Sequence, residues 1–118
     1  MEEKLQDIED VFQKYIQAGN ILSQVRSEAV KRIKIGASLL DVAEFVEKRT
    51  VELGGLPAFP CNISRNEEAA HATPSKNDSS VFEQDMVKLD MGVHVDGYIA
   101  DSALTVDFTS NQDIVKAS

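Results

Sequence analysis

The feature that most limits what this chain can become is the dipeptide Asp96-Gly97, set between the alternating apolar runs KLDMGVHV and YIADSALTVDF. An Asp-Gly pair accepts the positive φ angles of a two-residue β-turn, so the two runs fold back on each other as an antiparallel hairpin. The turn fixes the register: Val95 pairs with Tyr98, His94 with Ile99, Gly92 with Asp101 and Asp90 with Ala103. Side chains alternate between faces along a strand. One face therefore carries Leu89, Met91, Val93 and Val95, with Tyr98, Ala100, Ser102, Leu104 and Val106 opposite. The other carries Asp90, Gly92 and His94, with Ile99, Asp101, Ala103 and Thr105 opposite.

Strands are poor in aspartate, yet this hairpin holds Asp90, Asp96, Asp101 and Asp107. Asp96 is accounted for by the turn. Asp107 is six residues from Asp101, too far to share a site with it, and reads as a surface residue. Asp90 and Asp101 are different. They are diagonal neighbours on one face, with backbones about 7–8 Å apart, and their direct partners, Ala103 and Gly92, are small. Two carboxylates leaning into such a hollow ionise together with difficulty unless a cation lies between them. Two divalent ions about 3.5–4 Å apart would fit the span. A solvated polar face is the alternative, because antiparallel sheets commonly expose one face to water. His94, near the turn end of the same face, reads as structural.

The hairpin is preceded by helices. From Glu3 to Lys34 apolar residues recur at helical spacing, Leu5, Ile8, Val11, Phe12, Tyr15, Ile16, Ala18, Ile21, Leu22, Val25, Ala29, Val30 and Ile33 among them, which predicts one long amphipathic helix. Acids at its start and Arg26, Lys31, Arg32 and Lys34 near its end suit the helix dipole, and Gly36 breaks it. The sequence SLLD at 38–41 is a helix-start signal. A second helix follows, with Leu39, Val42, Phe45 and Val46 facing inward, and Gly54-Gly55 stops it. Pro57 and Pro60 confine 56–66 to an edge strand or extended segment. Residues 67–80 read as an irregular loop, and the tail 109–118 shows no pattern. Two helices followed by strands indicate an α+β fold, helical over 1–55 and sheet and loops over 56–118.

Charge and cysteine content narrow the function classes. Twenty acids against twelve bases give a net charge of −8, which disfavours nucleic-acid or anionic-membrane binding. A single cysteine, Cys61, allows no internal disulfide; it reads as a packing residue, and an intracellular, cytoplasmic setting is the simpler one. The first residues, MEEKLQDIED, lack the apolar stretch of a signal peptide, and no apolar run of about 18 residues is present to span a membrane.

Three ordered stretches, PAFPCNIS, NEEAAHATP and KLDMGVHVDGYIADSALTVDF, together resemble the methionine aminopeptidases, and the AAH-x-TP form resembles their type II (archaeal and eukaryotic) branch. The resemblance runs from near the start of the chain to about residue 108. It implies half of a pita-bread fold, two pseudo-symmetric α+β halves around a dinuclear metal site. It implies an enzyme that removes the initiator methionine from the N-terminus of a peptide or nascent chain, using two divalent ions (Co, Mn, Fe or Zn) to activate a water for attack on the peptide carbonyl.

By the same resemblance Asp90 chelates one metal and Asp101 bridges the two, the pair that the register had already brought together. His71, in AAH-x-TP, would hydrogen-bond the scissile amide or its tetrahedral intermediate, and Phe59 would wall the methionine pocket. The family pattern also requires one histidine and two glutamates downstream of the hairpin. No histidine follows His94 here and no glutamate follows Glu83. The chain is therefore read as the N-terminal half of such an enzyme, catalytically incomplete by itself and prone to self-association through the uncovered hairpin face. A proline dipeptidase on the same fold, or a non-catalytic binding protein of that fold, are the rival readings; AAH-x-TP and the intact Asp90, Asp101 and His71 speak against them.

Overall fold

The computed structural model describes residues 2–65, 80–84, 86–108 and 114–117. Among these residues two helices, α1 (Glu2–Val30) and α2 (Leu39–Glu52), precede five strands: β1 (Leu56–Pro57), β2 (Asn62–Arg65), β3 (Met86–Val95), β4 (Tyr98–Asp107) and β5 (Ile114–Ala117). The strands form one antiparallel sheet in the order β1-β3-β4-β5, and β2 pairs with the same edge of β3 as β1. The architecture is the expected α+β arrangement, two helices and then an antiparallel sheet.

Helix α2 begins and ends as its sequence directs. The Ser38 hydroxyl caps it, accepting from the Asp41 N–H at 3.2 Å. At the other end Gly55 N–H donates to Thr50 O and Gly54 N–H to Val51 O, each at 3.0 Å, the paired bonds of a Schellman motif. Gly54 takes φ of +99°, where a side chain would be strained. Helix α1 is shorter than its periodicity suggests. It stops at Val30 with no basic residue in its last turn, so Lys31, Arg32 and Lys34 lie beyond it. The Arg32 guanidinium instead sits 3.9 Å from the centre of the Phe45 ring.

The core lies between the C-terminal half of α1, α2 and one face of the sheet. Val25, Ala29, Val42, Ile63, Phe82, Val87, Leu89, Met91, Val93 and Leu104 are each at most 2% exposed. The N-terminal half of α1 is a different case. Leu5, Ile8 and Phe12 are more than 60% exposed, so the apolar stripe continues past the point where the sheet stops covering it. Where α1 crosses the hairpin tip, Lys14 Nζ lies 2.9 Å from Asp96 Oδ2 and the Tyr15 and Tyr98 rings meet edge to face at 5.2 Å.

Pro57 and Pro60 are accommodated as expected: β1 ends at Pro57 and β2 resumes at Asn62, both on one side of β3. The tail departs from expectation, because Ile114–Ala117 pairs with Leu104–Asp107 as β5. Four residues are too few to show a period, and the open edge of β4 offers unpaired backbone groups that recruit them.

Two ion pairs make stability depend on pH. The hydrogen bond from Arg49, 3.0 Å to Oε1, holds the Glu28 carboxyl below its ordinary range. A carboxyl lowered in the folded state stabilises above its unfolded value of 4.5 and loses that contribution as pH falls through the folded value. The hydrogen bond to Asp96 raises Lys14. Its contribution is complete below 10.5 and is lost as pH rises through the folded value. Thermal melts of Glu28→Gln and the parent are expected to differ near neutral pH and to converge below the lowered value; a difference that persists in acid would contradict the assignment.

Candidate functional site

The hairpin adopts the register that the turn dictates. Asp96 and Gly97 both have positive φ, 51° and 88°, as a type I′ turn requires. His94 Nδ1 accepts the Gly97 N–H at 3.1 Å, so this histidine fastens the turn. The pairs Val95↔Tyr98, Gly92↔Asp101 and Asp90↔Ala103 follow. Alternation then separates the buried face, with Leu89, Met91, Val93, Leu104 and Val106, from the face bearing Asp90 and Asp101.

On that second face Asp90 is half-buried and Asp101 exposed, diagonal neighbours whose rows in the β3–β4 ladder are separated by the Met91–Ser102 pair. Asn62, in β2, lies directly opposite Asp90 on its other side and is 9% exposed. Gly92, between Asp90 and His94 in the same row, is covered by the ring of Phe59. The ring reaches it because the chain leaves the sheet after Pro57 and rejoins it at Asn62, with Ala58 N–H still donating to Gly92 O at 3.0 Å. Phe59 also helps wall an open groove of about 530 Å³ that takes in Glu47, Leu56, Pro60 and His94.

The structure thus brings Asp90, Asp101 and Phe59 to one face. His71, together with the rest of 66–79, lies outside the described residues. Asn62 was not singled out by sequence, although it lies within the stretch PAFPCNIS. The tie between Gly92 and Phe59 was missed as well, although a glycine inside a strand often marks close approach of another group.

Cys61 is not a nucleophile. It is 1% exposed, and burial, with the negative charges of Glu47 and Asp90 adding to it, pushes its thiol up to about 12. Reactive cysteines have lowered values and access to solvent. Its backbone N–H donates to Glu47 Oε1 at 3.3 Å.

The donor set suits a hard or borderline divalent cation through carboxylate oxygen. It is sparse, since no group of three or more His, Cys, Asp or Glu side chains among the described residues is placed to hold a metal. Asp90 and Asp101 fit as part of a ligand set, but the hollow expected over Gly92 is not open: the Phe59 ring fills it, and Ala103 alone remains as the small neighbour opposite Asp90.

Comparison with known proteins agrees with this chemistry. The model of metallopeptidase family M24 matches residues 13–117. A methionine aminopeptidase of Methanocaldococcus jannaschii is 62% identical over 109 residues, 91% of this chain and 37% of that protein. One from Archaeoglobus fulgidus is 55% identical over 111 residues, 93% of this chain and 38% of its own length. Among solved structures, a methionine aminopeptidase from Thermotoga maritima superposes with a TM-score of 0.72 at 29% identity, over 80% of this chain and 41% of that one. The chain spans well under half the length of each of these relatives.

Proposed function

The chain belongs to metallopeptidase family M24, and from that premise we propose that it is the N-terminal part of a type II methionine aminopeptidase that removes the initiator methionine from nascent proteins in the cytoplasm. The observation that carries this reading is the placement of Asp90 and Asp101 as diagonal neighbours on one face of the hairpin, beside the Phe59 ring. Asp90 and Asp101 would hold two divalent ions, of Co, Mn, Fe or Zn. The ions would supply an acidified water and polarise the substrate carbonyl.

The rest of the work falls to side chains. Phe59 would present an aromatic wall to the first side chain of the peptide, its ring seated on the bare backbone of Gly92. His71 would donate a hydrogen bond to the scissile amide. Among the described residues no helix is long and apolar enough to cross a membrane, which suits an enzyme acting on peptide N-termini in water.

The test joins these 118 residues to the C-terminal part of the Methanocaldococcus jannaschii relative. With manganese or cobalt the chimera is expected to cleave Met-Ala-Ser and the 118-residue chain is not. A chimera that folds and leaves Met-Ala-Ser intact overturns the reading, and one that cleaves only Xaa-Pro peptides favours the proline dipeptidase. Light scattering on the same pair reads self-association. The short chain exposes Ile99 and Leu56 on the hairpin side and Leu5, Ile8 and Phe12 on α1, so it is expected to associate; a monomer at high concentration would contradict this.

A further inference from the structure

Gly92 occupies the middle of β3, where glycine weakens a strand by offering no side chain to pack. Its φ is not in the left-handed region that glycine alone favours, so backbone freedom does not explain it. Space does. A Cβ built on Gly92 would collide with Phe59 Cε1 and stand 2.9 Å from Cδ1 and Cζ, well inside the roughly 3.5–4.0 Å at which carbon atoms rest. The ring lies on the bare backbone, in the row between Asp90 and His94 and across the ladder from Asp101. The segment bearing it is tied to the same residue, through the bond from Ala58 N–H to Gly92 O.

We propose that Gly92 is a positioning residue of the substrate pocket. Its missing side chain seats the Phe59 ring beside Asp101, and the seated ring sets the wall against which an unbranched apolar side chain at a peptide's N-terminus packs. This rests on the peptidase reading. A side chain at Gly92 would lift the ring and close the pocket from below.

The 118-residue chain, with Gly92→Ala, Phe59→Ala and the double variant, is titrated with methioninamide and followed by NMR. In the parent chain the ring over Gly92 is expected to shift its Hα resonances upfield. Gly92→Ala is expected to weaken methioninamide by at least about tenfold, the scale on which a pocket misfit of one or two carbons acts, and to change nothing further once Phe59 is alanine. If Gly92→Ala alone loses its melting transition, recovery of that transition in the double variant supports the seating, and loss in both overturns it. The proposal is also overturned by unchanged affinity in Gly92→Ala, by equal weakening with and without the ring, by Gly92 Hα resonances at ordinary positions, or by a parent chain that does not respond to methioninamide. Failure of the metallopeptidase reading shows separately, as manganese broadening of nearby resonances that persists in Asp101→Asn.

Discussion

Phe82→Ala is expected to destabilise the chain by about 3–5 kcal/mol, the usual cost of deleting a fully buried phenylalanine ring. Phe82 is 0% exposed and is the largest of the fully buried side chains. Its backbone is also fixed on both sides: Phe82 N–H donates to Ala37 O at 2.9 Å, and Gly36 N–H donates to Phe82 O at 2.7 Å. Leu39 N–H donates to Ser80 O at 3.1 Å, so the segment entering β3 is stitched to the turn that starts α2. The wall around the ring is held by hydrogen bonds and collapses poorly into a void, which places the cost toward the upper end of that range. A chain of this size has about 6–18 kcal/mol in all, so the loss is a large fraction of the total. Urea unfolding reads it as a lower midpoint with an unchanged slope. Phe82→Leu, which keeps most of the volume, is expected to cost less than about 1.5 kcal/mol. Equal stability of Phe82→Ala and the parent would mean that the ring does not join the helices to the sheet.

Asp101→Asn is expected to abolish manganese binding by the chain. Two carboxylates without nitrogen donors make a weak site, in the range of about 0.1–1 mM seen for sparse oxygen-donor sites. Replacing one charged oxygen by an amide leaves a single carboxylate, which competes poorly with water for a divalent ion. At about 10 mM free manganese a site of that strength raises stability by roughly 1.4–2.7 kcal/mol, so the metal's effect on the melting temperature is the readout. The parent chain is expected to gain several degrees; Asp101→Asn and Asp90→Asn are expected to gain none. Asp107→Asn serves as control, because Asp107 lies at the far end of β4, paired with Met86, and its variant is expected to respond as the parent does. Equal gains in all four chains would place the metal elsewhere on this acidic protein and remove the main support for Asp90 and Asp101 as ligands.

The parts of this fold that the sequence determined are those governed by local geometry. An Asp-Gly pair with both φ angles positive can close only one kind of hairpin, and a period of two then decides every facing residue, so Asp90 and Asp101 meet on one face before any tertiary contact is considered. The same holds for α2, whose serine cap and paired glycines each act within a turn of the helix. What the tertiary structure decided depends on segments far apart in the chain. The apolar stripe on α1 reads alike where it is buried, at Val25 and Ala29, and where it is exposed, at Leu5 and Phe12, because periodicity records a face and says nothing of what covers it. The pairing of Ile114–Ala117 with β4 depends on an edge that exists only once the hairpin has formed. Phe82 sits in a run with no pattern and becomes the largest fully buried side chain among the described residues because the segment that carries it meets the turn before α2. Phe59 and Gly92 look unrelated in sequence; the ring settles on the glycine because β1 and β2 flank a gap on the same edge of β3, and only that approach turns a weak point in a strand into the floor beneath an aromatic wall.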